Sequence, residues 1–460
     1  MADLLQKLLP DTLPWAWLFL FLFVVSVQYW FTGKFGAKRQ RLPPSPPALP
    51  IIGHLHLIGS IPHVSLRGLA KKHGPDVMLL RLGAVPNLIV SSSRAAEAVL
   101  RTHDHVFASR PYSVISDTII VRKVQSFRSA AAEEVSMAMA KINQAVAADS
   151  AADMSELLHT FANDMACRIV SGKFFLKDGQ SKLFRELIKD TSQLLGGFNL
   201  EEYFPAVGRV GVLKKAVCAK AERVRNRWAD LLDKVIDDRV SKRNSTSDHK
   251  DDDFVDIMLS VQQEYDLTRE HMKALLTPHL MVKLQDEVRG IVPQGQEIIS
   301  ETDMNNMTYL RAVIKESLRL HPLAPLLAPH LAMADCIIDG YIVPARTRVV
   351  VNAWAIGRDP SSWEYAEEFI PERFTDEGNS MHVNFKGNDF QFLPFGAGRR
   401  MCPGMNLGIA NVELMLANLV CHFDWELPFG VERKDIDMTE VFGLTVSRKE
   451  KLLLIPKSRM

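Results

Sequence analysis

The chain has 460 residues, of which 47% are hydrophobic and 24% charged, and this excludes general disorder, because disordered chains lack the apolar side chains that offset ordering entropy. Lys+Arg 55 against Asp+Glu 54 gives a formal net charge of +1, too little basic charge for general nucleic-acid binding. Cys167, Cys218, Cys336, Cys402 and Cys421 are odd in number and form no Cys-x-x-Cys pair, so neither a disulfide framework nor a zinc ribbon is signalled and a reducing compartment fits.

From Leu13 to Phe31 the chain reads LPWAWLFLFLFVVSVQYWF, without a charge. That is long enough for a helix to cross a hydrocarbon layer of about 30 Å. Trp15, Trp17, Tyr29 and Trp30 stand near its ends, where aromatic rings favour the lipid–water interface. The alternatives are a cleaved signal peptide and a buried core helix. A signal peptide carries positive charge in front and a small-residue cleavage site behind. Here Asp3 and Asp11 precede the segment, while Lys34, Lys38, Arg39 and Arg41 follow it. Residues 1–33 therefore read as an uncleaved anchor with the body on the cytosolic side. Residues 34–50 read as a basic and proline-rich hinge. Its stretch Leu42-Pro43-Pro44-Ser45-Pro46-Pro47-Ala48-Leu49-Pro50 is too rich in proline for a helix or central strand. It is either an ordinary linker or a stiff arm, and its place directly behind the anchor favours the arm.

The body, residues 51–460, reads as mainly α with small β-sheets (α+β). Apolar residues recur at helical spacing over Ser65 to Lys72, Ser93 to Arg101, Leu183 to Leu195, Lys214 to Arg239, Met304 to Leu320 and Met405 to His422. Strand-like runs occupy Val77 to Leu82, Asn87 to Val90 and Arg348 to Val351. Ser241 to Asp253 contains no apolar residue and reads as a solvated loop. No GxxxxGK loop and no HExxH helix is present, so those nucleotide and zinc chemistries lack support.

The most informative stretch is Phe395-Gly396-Ala397-Gly398-Arg399-Arg400-Met401-Cys402-Pro403-Gly404. A lone cysteine is most often a small buried hydrophobe. Around Cys402, however, Gly398 and Gly404 let the backbone approach a flat group closely. Pro403 suits the first turn of the helix that follows, and a helix N-terminus stabilises the thiolate needed to bind a metal. Arg400 is a fixed cation suited to a carboxylate, and Phe395 would shield the site.

This run resembles the Phe-x-x-Gly-x-Arg-x-Cys-x-Gly heme loop of the cytochrome P-450 monooxygenases, and the order of features resembles their membrane-bound plant branch. The resemblance implies a single large heme domain behind one N-terminal helix. It implies heme b (iron protoporphyrin IX), with Cys402 as axial thiolate of the iron and Arg400 on a propionate. Glu316-Ser317-Leu318-Arg319 and Pro371-Glu372-Arg373-Phe374 resemble two further family elements. Alone, Glu316 and Arg319 would be an ordinary surface ion pair; within the family pattern they join Arg373 in a buried triad that holds the thiolate loop. His330 falls where relatives carry a basic residue for the second propionate, and a surface histidine is the other reading.

Two elements of the pattern are missing. A Trp-x-x-x-Arg helix is expected near 118–123, and a long central helix with an Ala/Gly-Gly-x-Asp/Glu-Thr groove near 276–278. Neither motif stands there: the chain runs Thr118-Ile119-Ile120-Val121-Arg122, and later Leu275-Leu276-Thr277-Pro278. No oxygen-activating acid and alcohol pair is identified. The implied reaction inserts one atom of O2 into a small apolar plant metabolite. Its electrons come from an NADPH-dependent flavoprotein reductase at the endoplasmic reticulum membrane, with lipid as a partner through the anchor. The alternatives are an impaired, truncated form retaining the proximal motifs, and a heme enzyme that rearranges peroxides. Lys386, Arg399 and Arg400 are candidates for a docking face toward an acidic reductase.

Overall fold

The computed structural model describes residues 41–111, 129–171 and 278–458 apart from 294–295, 297, 300–302 and 433–434, with scattered positions between 183 and 231. The anchor reading, the loop at 241–253 and the junction near 118–123 lie outside the described residues, as does the junction near 276–278 except for Pro278. Among the described residues no helix is long and apolar enough to cross a membrane.

The described helices are α1 (Pro62–His73), α2 (Ser93–Glu97), α3 (Ser129–Ala147), α4 (Met154–Ser171), α5 (Pro278–Ile291), α6 (Thr308–Leu320), α7 (Ala353–Ile356) and α8 (Met405–His422). The strands are β1 (Val77–Leu82), β2 (Val85–Val90), β3 (Ala152–Asp153), β4 (His330–Leu331), β5 (Cys336–Ile338), β6 (Tyr341–Val343), β7 (Arg348–Val351), β8 (Phe423–Glu426), β9 (Glu440–Val441), β10 (Ser447–Arg448) and β11 (Leu453–Ser458). Helices and small sheets together make the α+β architecture expected from the sequence pattern.

The main sheet has the order β1-β2-β7-β4. Strands β1 and β2 form a hairpin from Val77↔Val90 to Leu82↔Val85, turned at Gly83, whose φ of 61° suits glycine. The parallel pairing of β2 with β7 brings chain segments more than 250 residues apart into one sheet. Alternation puts Met78, Leu80, Leu82 and Ile89 under α1, while Val77, Leu88 and Val90 join Val349 and Val351 on the opposite face. Both faces are therefore buried.

A larger core surrounds α8. Leu414 to Val420 are buried without interruption, so this helix is enclosed on all sides. Its one polar residue there, Asn418, donates to Leu414 O and accepts from Ile299 N, at 2.8 and 3.0 Å. Helix α6 starts at a different kind of cap. Met307 offers no capping side chain. Instead Glu287 of α5 accepts from Tyr309 N and Leu310 N at 2.7 and 2.8 Å, a carboxylate placed at the positive end of the helix.

The proline stretch is bound to the body along its length. Arg41 O accepts from Ile342 N, and Pro44 O from Leu79 N, both at 2.8 Å. His54, itself buried, accepts from Arg81 N through Nδ1 and donates from Nε2 to Pro46 O, again at 2.8 Å. Three bonds, to Ile342, Leu79 and His54, hold residues 41–46 against the body, and His54 is itself fastened to Arg81 of β1.

Some expected elements differ. The helix read over Met304 to Leu320 is a 3-10 turn at Asp303–Asn306 followed by α6. The one read over Ser93 to Arg101 becomes a π-turn at Ala98–Thr102 after α2. Pro403 does not open α8; Gly404 is its N-cap, so the proline stands one residue outside the helix.

Candidate functional site

The loop before α8 is closed by its own backbone. Cys402 N donates to Phe395 O at 3.0 Å, Met401 N to Gly398 O and Gly396 N to Leu393 O, both at 3.2 Å. Gly396 and Gly398 have φ of 69° and 68°, in the left-handed region open to glycine. At Gly398 a Cβ would stand 2.1 Å from Leu100 O, so no side chain fits. Cys402 is a free, partly exposed thiol three residues before the start of α8. Phe395 is buried, with its ring edge-on to Phe385 at 5.8 Å. Gly404 is buried as the N-cap.

Segment 98–110 lies along this loop and brings charge to it. Arg399 Nε meets Asp104 Oδ2 at 2.7 Å. Arg400 Nε donates to Ala108 O at 2.8 Å. Ser109 bridges Leu331 of β4, and this carries Arg110 beside the loop, where its Nη1 donates to Ala328 O and Pro329 O. His330 is buried, which overturns the surface-histidine alternative, and its Nδ1 donates to Phe107 O at 2.8 Å.

Arg110 and Arg400 repel one another, and both disfavour a charge on His330. Burial and the neighbouring Arg400 push Arg110 down to about 10. Burial, Arg110 and Arg400 push His330 down to about 4, against a weaker opposing effect of the Phe107 carbonyl. His330 is thus neutral at neutral pH, and the positive charge expected of it is supplied by Arg110 and Arg400. Among the described residues no carboxylate offsets Arg110. A half-buried cation without a counter-charge is unfavourable, and an anionic group lying against the thiol loop would relieve it. A thiol three residues before a helix, and two guanidinium groups bonded to carbonyls with no carboxylate partner among the described residues, fit a metal complex that carries carboxylates. Arg110 carried no motif in the sequence; its partners are more than 200 residues away.

Glu316, Arg319 and Arg373 lie together. Arg319 donates to both carboxylate oxygens of Glu316 at 2.7 and 2.8 Å, and Arg373 Nε donates to Oε1 at 3.1 Å. Arg319 also donates to the carbonyls of Gly357, Ala366 and Glu368, so a buried charge cluster is satisfied throughout. Both guanidinium groups lie over Trp363, at 5.3 and 6.0 Å from its centroid. Trp363 Nε1 in turn donates to Gln391 O and its ring meets Phe392. The triad therefore reaches the thiol loop through one tryptophan and the residues that lead into Phe395.

Comparison with known proteins follows the same lines. The sequence profile described as cytochrome P450 matches residues 43–122, 114–277 and 275–455. An indole-2-monooxygenase of Zea mays is 51% identical over 469 aligned residues, covering 90% of this chain and 87% of the relative. An indolin-2-one monooxygenase of the same plant is 45% identical, covering 91% and 90%. A 3-hydroxyindolin-2-one monooxygenase, again from Zea mays, is 44% identical, covering 91% and 89%. The chain belongs to the cytochrome P450 family, on its plant branch, a family of heme-iron oxidoreductases of the monooxygenase type.

Proposed function

We propose that this chain is a heme-thiolate monooxygenase that holds heme b through Cys402 and acts on a small, flat apolar substrate of the indole type. The observation that carries the reading is the thiol loop, with Cys402 three residues before α8, the uncompensated Arg110 beside it and Arg400 within it. Cys402 would be the axial ligand, and Arg400 and Arg110 would take the two propionates. His330 would line the same side as a neutral ring. Gly398 would let the thiol loop pack against the Leu100 backbone, and Phe395 would shield the site. When bound, thiolate-ligated heme supplies oxygen activation for inserting one oxygen atom into the substrate. The substrate class rests on the printed names of the three maize relatives.

The anchor reading of residues 1–33 and the bound arm behind it support a single-pass attachment to the endoplasmic reticulum membrane, with the body cytosolic. Electrons would come from an NADPH-dependent flavoprotein reductase. Lys386 remains a candidate for its docking face, while Arg399 is already engaged by Asp104 and Arg400 would be taken up by a propionate.

A second reading, a form impaired in oxygen activation, has its own support. The alignment to the indole-2-monooxygenase spans 469 positions yet uses 90% of this 460-residue chain, so it contains gaps on this chain's side. The profile match also breaks at 114–122 and 275–277, beside the two junctions where expected motifs are missing. Without an acid and alcohol to deliver protons, oxygen activation lacks its general acid.

The test has two steps. The reduced carbon-monoxide difference spectrum should show the thiolate-heme Soret band, and Cys402→Ser should abolish it. A heme-loaded Cys402→Ser variant with an unchanged band would refute the ligand assignment. Turnover of indole with reductase and NADPH then separates the readings: product in proportion to NADPH consumed identifies an oxygenase, and NADPH consumption without product identifies the impaired form.

A further inference from the structure

Helix α1 presents a histidine to a carboxylate in the interior. His63 is 1% exposed, and its Nε2 lies 3.1 Å from Glu440 Oε2 of β9, itself 10% exposed in its side chain. Neither ring nitrogen of His63 has a hydrogen-bond partner, so the approach is an electrostatic contact and not an aligned hydrogen bond. A buried polar ring is unfavourable without compensation, and the compensation here is the Glu440 carboxylate. The ring is fixed by packing: Trp354 meets it edge-on at 5.0 Å and Phe442 lies 6.1 Å away. Other charged groups nearby include Arg67 and Arg358, both stacked on Trp354 and both paired with Glu367, and Arg448, which stands opposite Glu440 in the hairpin.

The partner strand depends on such a contact. Strands β9 and β10 pair through Ser447↔Val441 and Arg448↔Glu440, with one more bond from Lys449 N to Thr439 O at 2.9 Å, and a two-stranded hairpin of that size is marginal by itself. One side of it is held by His63. On its other side Val446 N donates to Leu323 O at 2.9 Å. The stretch that follows Leu323 runs to Leu327, whose side chain is 3.7 Å from where a Cβ on Gly396 would stand. A single short segment thus connects the hairpin to the thiol loop.

We infer that His63 and Glu440 form a buried latch that positions the 440–448 hairpin, and through Leu323 the 323–327 segment, and so governs how the adjacent site accepts a small apolar substrate. His63 is a positioning residue: it acts through the hairpin and touches neither heme nor substrate. The substrate part of this inference rests on the heme-thiolate reading above; the latch itself does not.

The test uses the full chain and two variants at His63. His63→Leu keeps volume and removes polarity, while His63→Gln keeps a donor near the position of Nε2. In His63→Leu, amide hydrogen exchange over 440–448 and 323–327 should rise about tenfold or more while the large core keeps its protection. The spectral dissociation constant for indole should weaken about tenfold with an undiminished carbon-monoxide band. His63→Gln should restore both, and Glu440→Gln should reproduce the local loosening if His63→Leu folds poorly. Wild-type exchange in His63→Leu and Glu440→Gln, or loosening spread evenly over the chain, would overturn the latch. If the wild-type chain shows no Soret band, the heme reading fails and the exchange data alone decide on the latch.

Discussion

At the scale of single residues, Glu316 and His330 show two ways of burying a charge-bearing group. Glu316 accepts from Arg319, Arg373 and Ile370 N, so its carboxylate is fully compensated. Replacing it by Gln leaves two buried guanidinium groups short of charge and should cost about 3–5 kcal/mol, read as a lower urea midpoint at pH 7. His330 is instead held neutral, its pKa pushed from 6.5 to about 4 mainly by burial. Between those two values the unfolded chain binds a proton that the folded chain does not. Stability therefore falls as pH drops from 6.5 toward 4, by up to about 3 kcal/mol in heme-free protein. His330→Gln should flatten that part of the pH profile relative to wild type, and an unchanged slope would show that other groups carry it.

Among the elements, what could be read in advance follows the distance over which the cause acts. Strands Val77–Leu82 and Arg348–Val351 and helix Met405–His422 have the bounds expected from periodicity, because apolar spacing within each segment already specifies its buried face. The thiol loop was legible for a similar reason: its glycines, arginine and cysteine lie within ten residues. The start of α6 was not, since its cap is Glu287 from another helix, 22 and 23 residues before the amides it binds. Arg110 was hidden in the same way, as a strand bridge between Ser109 and Leu331 delivers it to the site. Glu287→Gln should weaken the charged cap and cost about 1 kcal/mol. The loss should appear as faster exchange of the Tyr309 and Leu310 amides, with α8 unaffected.

For the molecule as a whole, the described core divides into three clusters, and the proline arm is fastened to the sheet that lies between two of them. His54 joins Pro46 to Arg81 and so connects the proline arm to β1. His54→Leu removes both bonds without removing bulk. Cleavage at Arg41 by trypsin should then accelerate several-fold while the rest of the body resists, and equal cleavage rates would show that Arg41 and Pro44 hold the arm unaided.

The bound arm also limits distance. Arg41 is fastened to Ile342 of β6, and it stands ten residue steps beyond Phe31, where the apolar N-terminal segment ends. A fully extended chain spans at most about 3.3–3.6 Å per residue, so that leash is no longer than about 35 Å. With the segment embedded in a bilayer, the body could not drift or tumble freely above it. The side bearing β6, together with the exposed Leu42, Leu49, Ile51 and Ile52, would always stay within that radius of the lipid. A substrate that partitions into membrane would then be encountered from one direction.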